Sequence, residues 1–158
     1  MAILLLVIGL VFGLIIMAIM MKIMMPKMMF ATYKSKLDFD ETISSLEESA
    51  KKNGWTIPEI RDLQQDYIEE GLEDMTKVKI LYFCNAQGGY NILKDDDYKK
   101  MSVMMPMGVS VHETNDGQVR IAAMNIGFMS MMFSGTVKKV LQEGGGNFRN
   151  SVENIIEK

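Results

Sequence analysis

Hydrophobic residues are distributed in two regimes along the chain. From Ala2 to Met21 twenty consecutive residues carry no charge and are nearly all Leu, Ile, Val, Met, Phe, Ala or Gly. A helix of that length spans about 30 Å, the thickness of a bilayer's hydrocarbon core. No Lys or Arg precedes the run, and Met-Met-Lys-Ile-Met-Met-Pro follows it without a small-residue cleavage pattern. Both features separate it from a cleavable signal peptide, so it reads as a retained transmembrane anchor over residues 1–25. After Lys22 the apolar positions turn periodic, as in a globular domain.

The periodic part predicts these elements. Residues 26–36 read as a juxtamembrane linker that runs into a first strand, with partial alternation over Thr32 to Leu37. Asp38 or Asp40 caps a helix to about Lys52, with Ile43, Leu46 and Ala50 on one face and Asn53-Gly54 ending it. Trp55 to Ile60 is a strand or extended segment around Pro58, and Leu63 to Leu72 is a short acidic helix. Val78 to Cys84, β-rich and apolar on both faces, is a central strand. Asn85 to Leu93 forms a turn and short helix.

Met107 to Glu113 and Gln118 to Met124 flank Asn115-Asp116-Gly117, a hairpin signal. A three-residue loop with Gly117 in the left-handed region puts Val109, Val111, Val119, Ile121 and Ala123 on one face. Ser110, His112, Arg120 and Met124 then share the other, whereas a two-residue loop mixes the two sets. Met129 to Phe133 is short and apolar, and Thr136 to Gln142 is helical. Gly144-Gly145-Gly146 breaks that helix, and Phe148 to Ile156 forms the last one. The expected architecture is α+β: one transmembrane helix, then a small two-layer domain with an antiparallel sheet and packed helices. Its boundaries are the domain proper at 37–143 and a Gly-rich break with C-terminal helix at 144–158.

Charge adds an asymmetry. Leu37 to Asp74 holds 12 acidic residues against Lys51, Lys52 and Arg61, while the remainder is net positive within a total of −3. No basic stripe with interleaved aromatics occurs, so nucleic acid is not an expected partner. Lys22, Lys27, Lys34 and Lys36 follow the span, which by the positive-inside rule favours the cytoplasmic side for the domain, with the extracytoplasmic side as the alternative. Gly9 and Gly13 form a GxxxG pair, a candidate contact between transmembrane helices.

Candidate chemistry is soft. The chain has one Cys and one His, which excludes an intrachain disulfide and the usual multi-histidine or all-cysteine metal sites. Eight of its 17 methionines lie between Met101 and Met132. Thioethers pack into adaptable apolar walls, and they also select Cu(I) or serve as axial haem ligands. Cys84 ends a strand, as a small hydrophobe or a presented thiol. Met105 and Met107 share a strand face, and with Cys84 they are the candidate metal donors. Candidate ligand contacts are Cys84, Asn85, Ser110, His112, Arg120 and Met124. His112 and Glu113 point to opposite faces of a strand and make no metal motif. No catalytic residue stands out, and no cofactor is expected, with copper or haem as the alternative. The competing readings are an accessory or binding domain, a soft-metal or haem redox protein, and an enzyme with an unrecognised cleft.

The stretch Val78-Lys79-Ile80-Leu81-Tyr82-Phe83-Cys84-Asn85 is followed by Tyr90-Asn91-Ile92-Leu93-Lys94-Asp95-Asp96. Met105-Pro106, Val109-Ser110-Val111-His112-Glu113, Asp116-Gly117 and Met124-Asn125 come next. In this order they resemble the family catalogued as domain of unknown function 302, from about Thr32 to Glu143. The resemblance implies a compact α+β fold of the TATA-binding-protein-like type and a homodimer. As a family-level association, it also suggests a place beside a membrane redox or sulfur-handling complex. The family commonly has Pro, an aromatic and Cys where this chain has Ala86, His112 and Met107. Its paired-cysteine arrangement is therefore incomplete here.

Overall fold

A computed structural model describes residues 1–157. It opens on a helix, α1 (Ala2–Met29), along which every described side chain is exposed. This helix is long and apolar enough to cross a membrane, and it has no polar stripe to lay against water. Pro26 is accommodated inside it, so the expected linker is instead helical to Met29. The next residue already starts β1 (Phe30–Lys34). No residue lies between α1 and the first strand.

The domain continues with α2 (Phe39–Lys52), β2 (Ile60–Asp62), α3 (Leu63–Glu69), β3 (Val78–Phe83) and α4 (Ala86–Leu93). A 3-10 stretch over Asp96–Met104 leads to β4 (Met107–Glu113) and β5 (Val119–Met124). The chain then forms α5 (Ile126–Met129), a 3-10 turn at Ser130–Met132 and α6 (Gly135–Val152). The five strands pair antiparallel in the order β1-β5-β4-β3-β2. The α+β architecture with an antiparallel sheet follows the sequence expectation. β2, which begins where the segment read as a strand or extended piece ends, supplies an edge, and β3 is an interior strand paired on both sides.

Local chemistry accounts for the elements. Asp38 accepts from the Glu41 amide at 2.8 Å and caps α2, whose Phe39, Thr42, Leu46 and Ala50 recur at helical spacing and are buried. The β4–β5 hairpin has the three-residue loop: the Thr114 amide donates to Gln118 O at 2.9 Å, and Gly117 adopts φ +78°. That register buries Val109, Val111, Val119, Ile121 and Ala123 against α2 and α6.

The expected break at Gly144–Gly146 does not form. α6 runs straight through it, and Gly144 and Gly145 are where α6 meets its neighbours. A Cβ on Gly145 would stand 3.3 Å from the Gly127 backbone nitrogen, and one on Gly144 3.3 Å from Ile126 Cδ1. The helix needs small residues there for close approach. Beyond it, Phe148, Val152 and Ile155 enter the main core, and the Glu157 amide donates to Lys34 O at 2.9 Å. The C-terminal segment thus packs into the main core as the continuation of α6.

Two apolar clusters result. The larger joins the sheet to α2 and α6 through Leu46, Leu81, Phe83, Val109, Ile121, Phe148 and Val152. The smaller joins α4, the Asp96–Met104 stretch and α6 through Ile92, Met101 and Val137.

Candidate functional site

A cavity of about 310 Å³ lies at the seam between the two clusters. Trp55, Phe83 and Met107 contribute from the larger cluster, and Ile92, Met101 and Leu141 from the smaller. Four more methionines, Met104, Met105, Met124 and Met129, complete a wall that is almost wholly apolar. Such a wall follows from unbranched thioethers, whose three rotatable bonds let them line an irregular space without filling it.

Few polar groups reach this wall. Cys84 is half-buried at the end of β3, where its backbone exchanges hydrogen bonds with Thr56 at 2.8 and 2.9 Å. Asn85 lines the cavity but spends its side-chain oxygen on the Gly88 amide at 2.7 Å, capping α4. Trp55, 7 % exposed, stacks tilted against Phe83 with ring centroids 5.6 Å apart, and its buried Nε1 has no hydrogen-bond partner. An unpaired buried N–H carries a desolvation cost of about 1–3 kcal/mol. The domain tolerates that cost beside the cavity.

The sequence-predicted residues divide between two places. Cys84, Asn85, Met105, Met107 and Met124 all line the cavity. Ser110, His112 and Arg120 lie on the sheet face turned away from α2 and α6, as alternation along β4 and β5 requires. Ser110 Oγ sits 3.2 Å from His112 Nδ1, and His112 pairs across the hairpin with Arg120, whose buried Nε lacks a partner. Gly9 and Gly13 are open on α1, with nothing within 4 Å of a Cβ at either position. No cluster of three or more His, Cys, Asp or Glu suited to a metal occurs among the described residues. Sequence reasoning passed over Trp55, Tyr90 and Ile126 as cavity residues; the rarity of tryptophan in this chain is the one signal that points to the first.

Burial, and then the Arg120 charge, hold the His112 pKa below its ordinary 6.5. The neutral ring is thus favoured in the folded state, and the unfolded chain takes up the proton first. Stability from this group is present above pH 6.5 and lost as pH falls through that value toward the lower folded pKa. His112→Gln is expected to reduce the loss of stability between neutral and mildly acidic pH. Denaturation midpoints of both proteins across that range check it; identical pH slopes would refute the assignment.

Comparison with known proteins identifies a family and a neighbour of the same fold. The family model for domain of unknown function DUF302 matches residues 31–158. A crystal structure of an uncharacterized conserved DUF302 protein from Bacillus stearothermophilus superposes with a TM-score of 0.70 at 22% identity. The alignment covers 80% of this chain and 98% of that one. It therefore shares the fold. No curated protein matches the chain.

Proposed function

This chain belongs to the DUF302 family, and we propose that it serves as a membrane-anchored, non-enzymatic binding domain for a small apolar ligand. The supporting observation is the methionine-lined cavity between the two clusters. At about 310 Å³ it is within the usual range of small-molecule sites, roughly 300–1,000 Å³. Its wall offers contact area and adaptable packing, with the Cys84 thiol and the Trp55 indole as the main polar features. This composition suits dispersion contacts with an apolar body. The exposed apolar face of α1 on all sides supports the anchor, since leaving that surface in water opposes the hydrophobic effect. The lysines after the span favour the cytoplasmic side. A homodimer belongs to the same reading, as the resemblance to the family implies.

Trp55 is the only tryptophan, so its fluorescence reports on this cavity alone. A brominated benzene titrated into vesicles holding the full chain is expected to quench Trp55 saturably. Gly89→Leu supplies the control. A Cβ at Gly89, a cavity-lining position, meets Met105 Sδ at an ordinary 3.8 Å and no backbone atom, and the rest of the leucine is expected to take up cavity space. Replacing Gly inside a helix also favours folding by about 0.5–1 kcal/mol. The variant is expected to keep its thermal midpoint and lose saturable quenching. Equal, non-saturating quenching of both proteins would refute the binding reading.

A second reading draws on the same wall. The Cys84 sulfur and several thioethers around one space offer a soft donor set of the kind that selects Cu(I). Cu(I) titration against a chelator competitor, with Cys84→Ala alongside, distinguishes it from purely apolar binding.

A further inference from the structure

Four strand ends meet at one end of the sheet. β3 finishes at Phe83 opposite Met107, where β4 begins, and β5 finishes at Met124 opposite Phe30, where β1 begins. Phe83, Cys84, Met107 and Met124 from these ends line the cavity, and Ala86 and Pro106 beside them bring its wall to the surface. α1 joins the domain at this same end, directly before Phe30. The Asn125 amide donates to Met29 O at 2.8 Å, which ties the helix end to the segment that follows β5. The opposite end of the sheet carries the Asn115–Gly117 turn. A strand of seven residues such as β4 spans about 23 Å, so that turn is far from the cavity.

The length of α1 sets how near this end lies to lipid. About twenty of its residues fill the hydrocarbon core, which leaves the last eight, or about 12 Å, to traverse the headgroup layer. Lys22 and Lys27 fall in that stretch, where long basic side chains reach headgroup phosphates. Apolar side chains crowd the same end: Phe30 is 58 % exposed, Met131 64 % and Met132 60 %. Met131 and Met132 follow α5, which packs beside the end of α1. Their exposure in water is unfavourable, whereas the headgroup–acyl boundary accepts such side chains.

We infer that the rim formed by Phe30, Met131 and Met132 rests in the bilayer surface, and that the cavity is filled from the membrane. The ligand class is then a lipophilic molecule already dissolved in lipid, such as an acyl or isoprenoid chain with a small polar head. This rests on the binding and anchoring readings above and adds the source of the ligand.

The test uses the full chain with Cys84→Ala, reconstituted into phosphatidylcholine vesicles that carry bromine on a fraction of their acyl chains. An environment-sensitive fluorophore is attached in turn to Leu14→Cys, Met131→Cys and Asn115→Cys. The label at 14 is expected to be quenched, the label at 131 to be blue-shifted and quenched toward the same level, and the label at 115 to be unaffected. In a second arm, with Cys84 intact, a brominated long-chain alcohol preloaded in unbrominated vesicles is expected to quench Trp55, and to quench it far less in Gly89→Leu. Quenching at 14 with a label at 131 that behaves like 115 overturns the rim, and an unquenched Trp55 in the second arm overturns loading from lipid. An unquenched label at 14 overturns the anchor and this inference with it. Saturable quenching by brominated benzene, alongside failure of either arm, leaves the binding reading standing and the membrane route refuted.

Discussion

Phe83→Ala is expected to destabilise the domain by about 3–5 kcal/mol, the range for truncating a buried phenylalanine. Phe83 is 1 % exposed and packs at a centroid distance of 5.6 Å from Trp55 and 6.0 Å from Phe148. It therefore links the end of β3, the segment after α2 and the last helix. Its ring also forms part of the cavity wall. Removing it enlarges an existing space, and neighbours that already border a void have little reason to collapse inward. The upper part of the range is expected for that reason. Urea unfolding followed through Trp55 fluorescence measures the loss, and Phe83→Leu should recover most of it. A loss near 1 kcal/mol would mean the surrounding methionines close the gap, a property their flexible side chains allow.

Much of the fold is legible in the sequence because hydrophobic periodicity decides it. The β4–β5 register follows from the pattern alone, since a slip by one residue would expose Val109, Val111 and Ile121 together. α2 is equally readable from Asp38 and the spacing of Leu46 and Ala50. The edge strand β2 is not, because three residues leave no alternation to read and their pairing is decided by β3 alone. The continuity of α1 through Pro26 is hidden as well: the sequence shows a helix breaker, whereas the helix accommodates it.

The site is legible by composition more than by place. The excess of methionine between Met101 and Met132 suggests a soft apolar wall, and Cys84, Met105, Met107 and Met124 line one cavity. Ser110, His112 and Arg120 share a hairpin face with Met124 by alternation, but of the four only Met124, at the strand end, reaches the cavity. The pleat turns the other three away from it. Trp55 joins the wall through tertiary packing against the distant end of β3, for which local pattern holds no signal.

The glycine triplet of α6 shows most sharply how an isolated local rule misleads, and it supports a graded prediction. In the sequence three consecutive glycines lower helix propensity enough to suggest a stop. In the fold each has a different neighbourhood. Nothing lies within 4 Å of a Cβ at Gly146, so Gly146→Ala is expected to stabilise the domain by about 0.5–1 kcal/mol through reduced backbone freedom. At Gly144 the nearest atom is Ile126 Cδ1 at 3.3 Å, the far end of a flexible side chain, and Gly144→Ala should be close to neutral. Gly145 faces the Gly127 backbone nitrogen and Cα at 3.3 and 3.4 Å, and backbone cannot step aside as a side chain does. Gly145→Val must therefore push α5 from α6, with a cost of about 1–3 kcal/mol. Because α5 supplies Ile126 and Met129 to the cavity, the same variant should also weaken Trp55 quenching by the brominated benzene. Thermal unfolding of the three variants reads the order directly. If all three substitutions stabilised alike, α6 would not need its glycines for contact, and the close approach of α5 to α6 would be wrong.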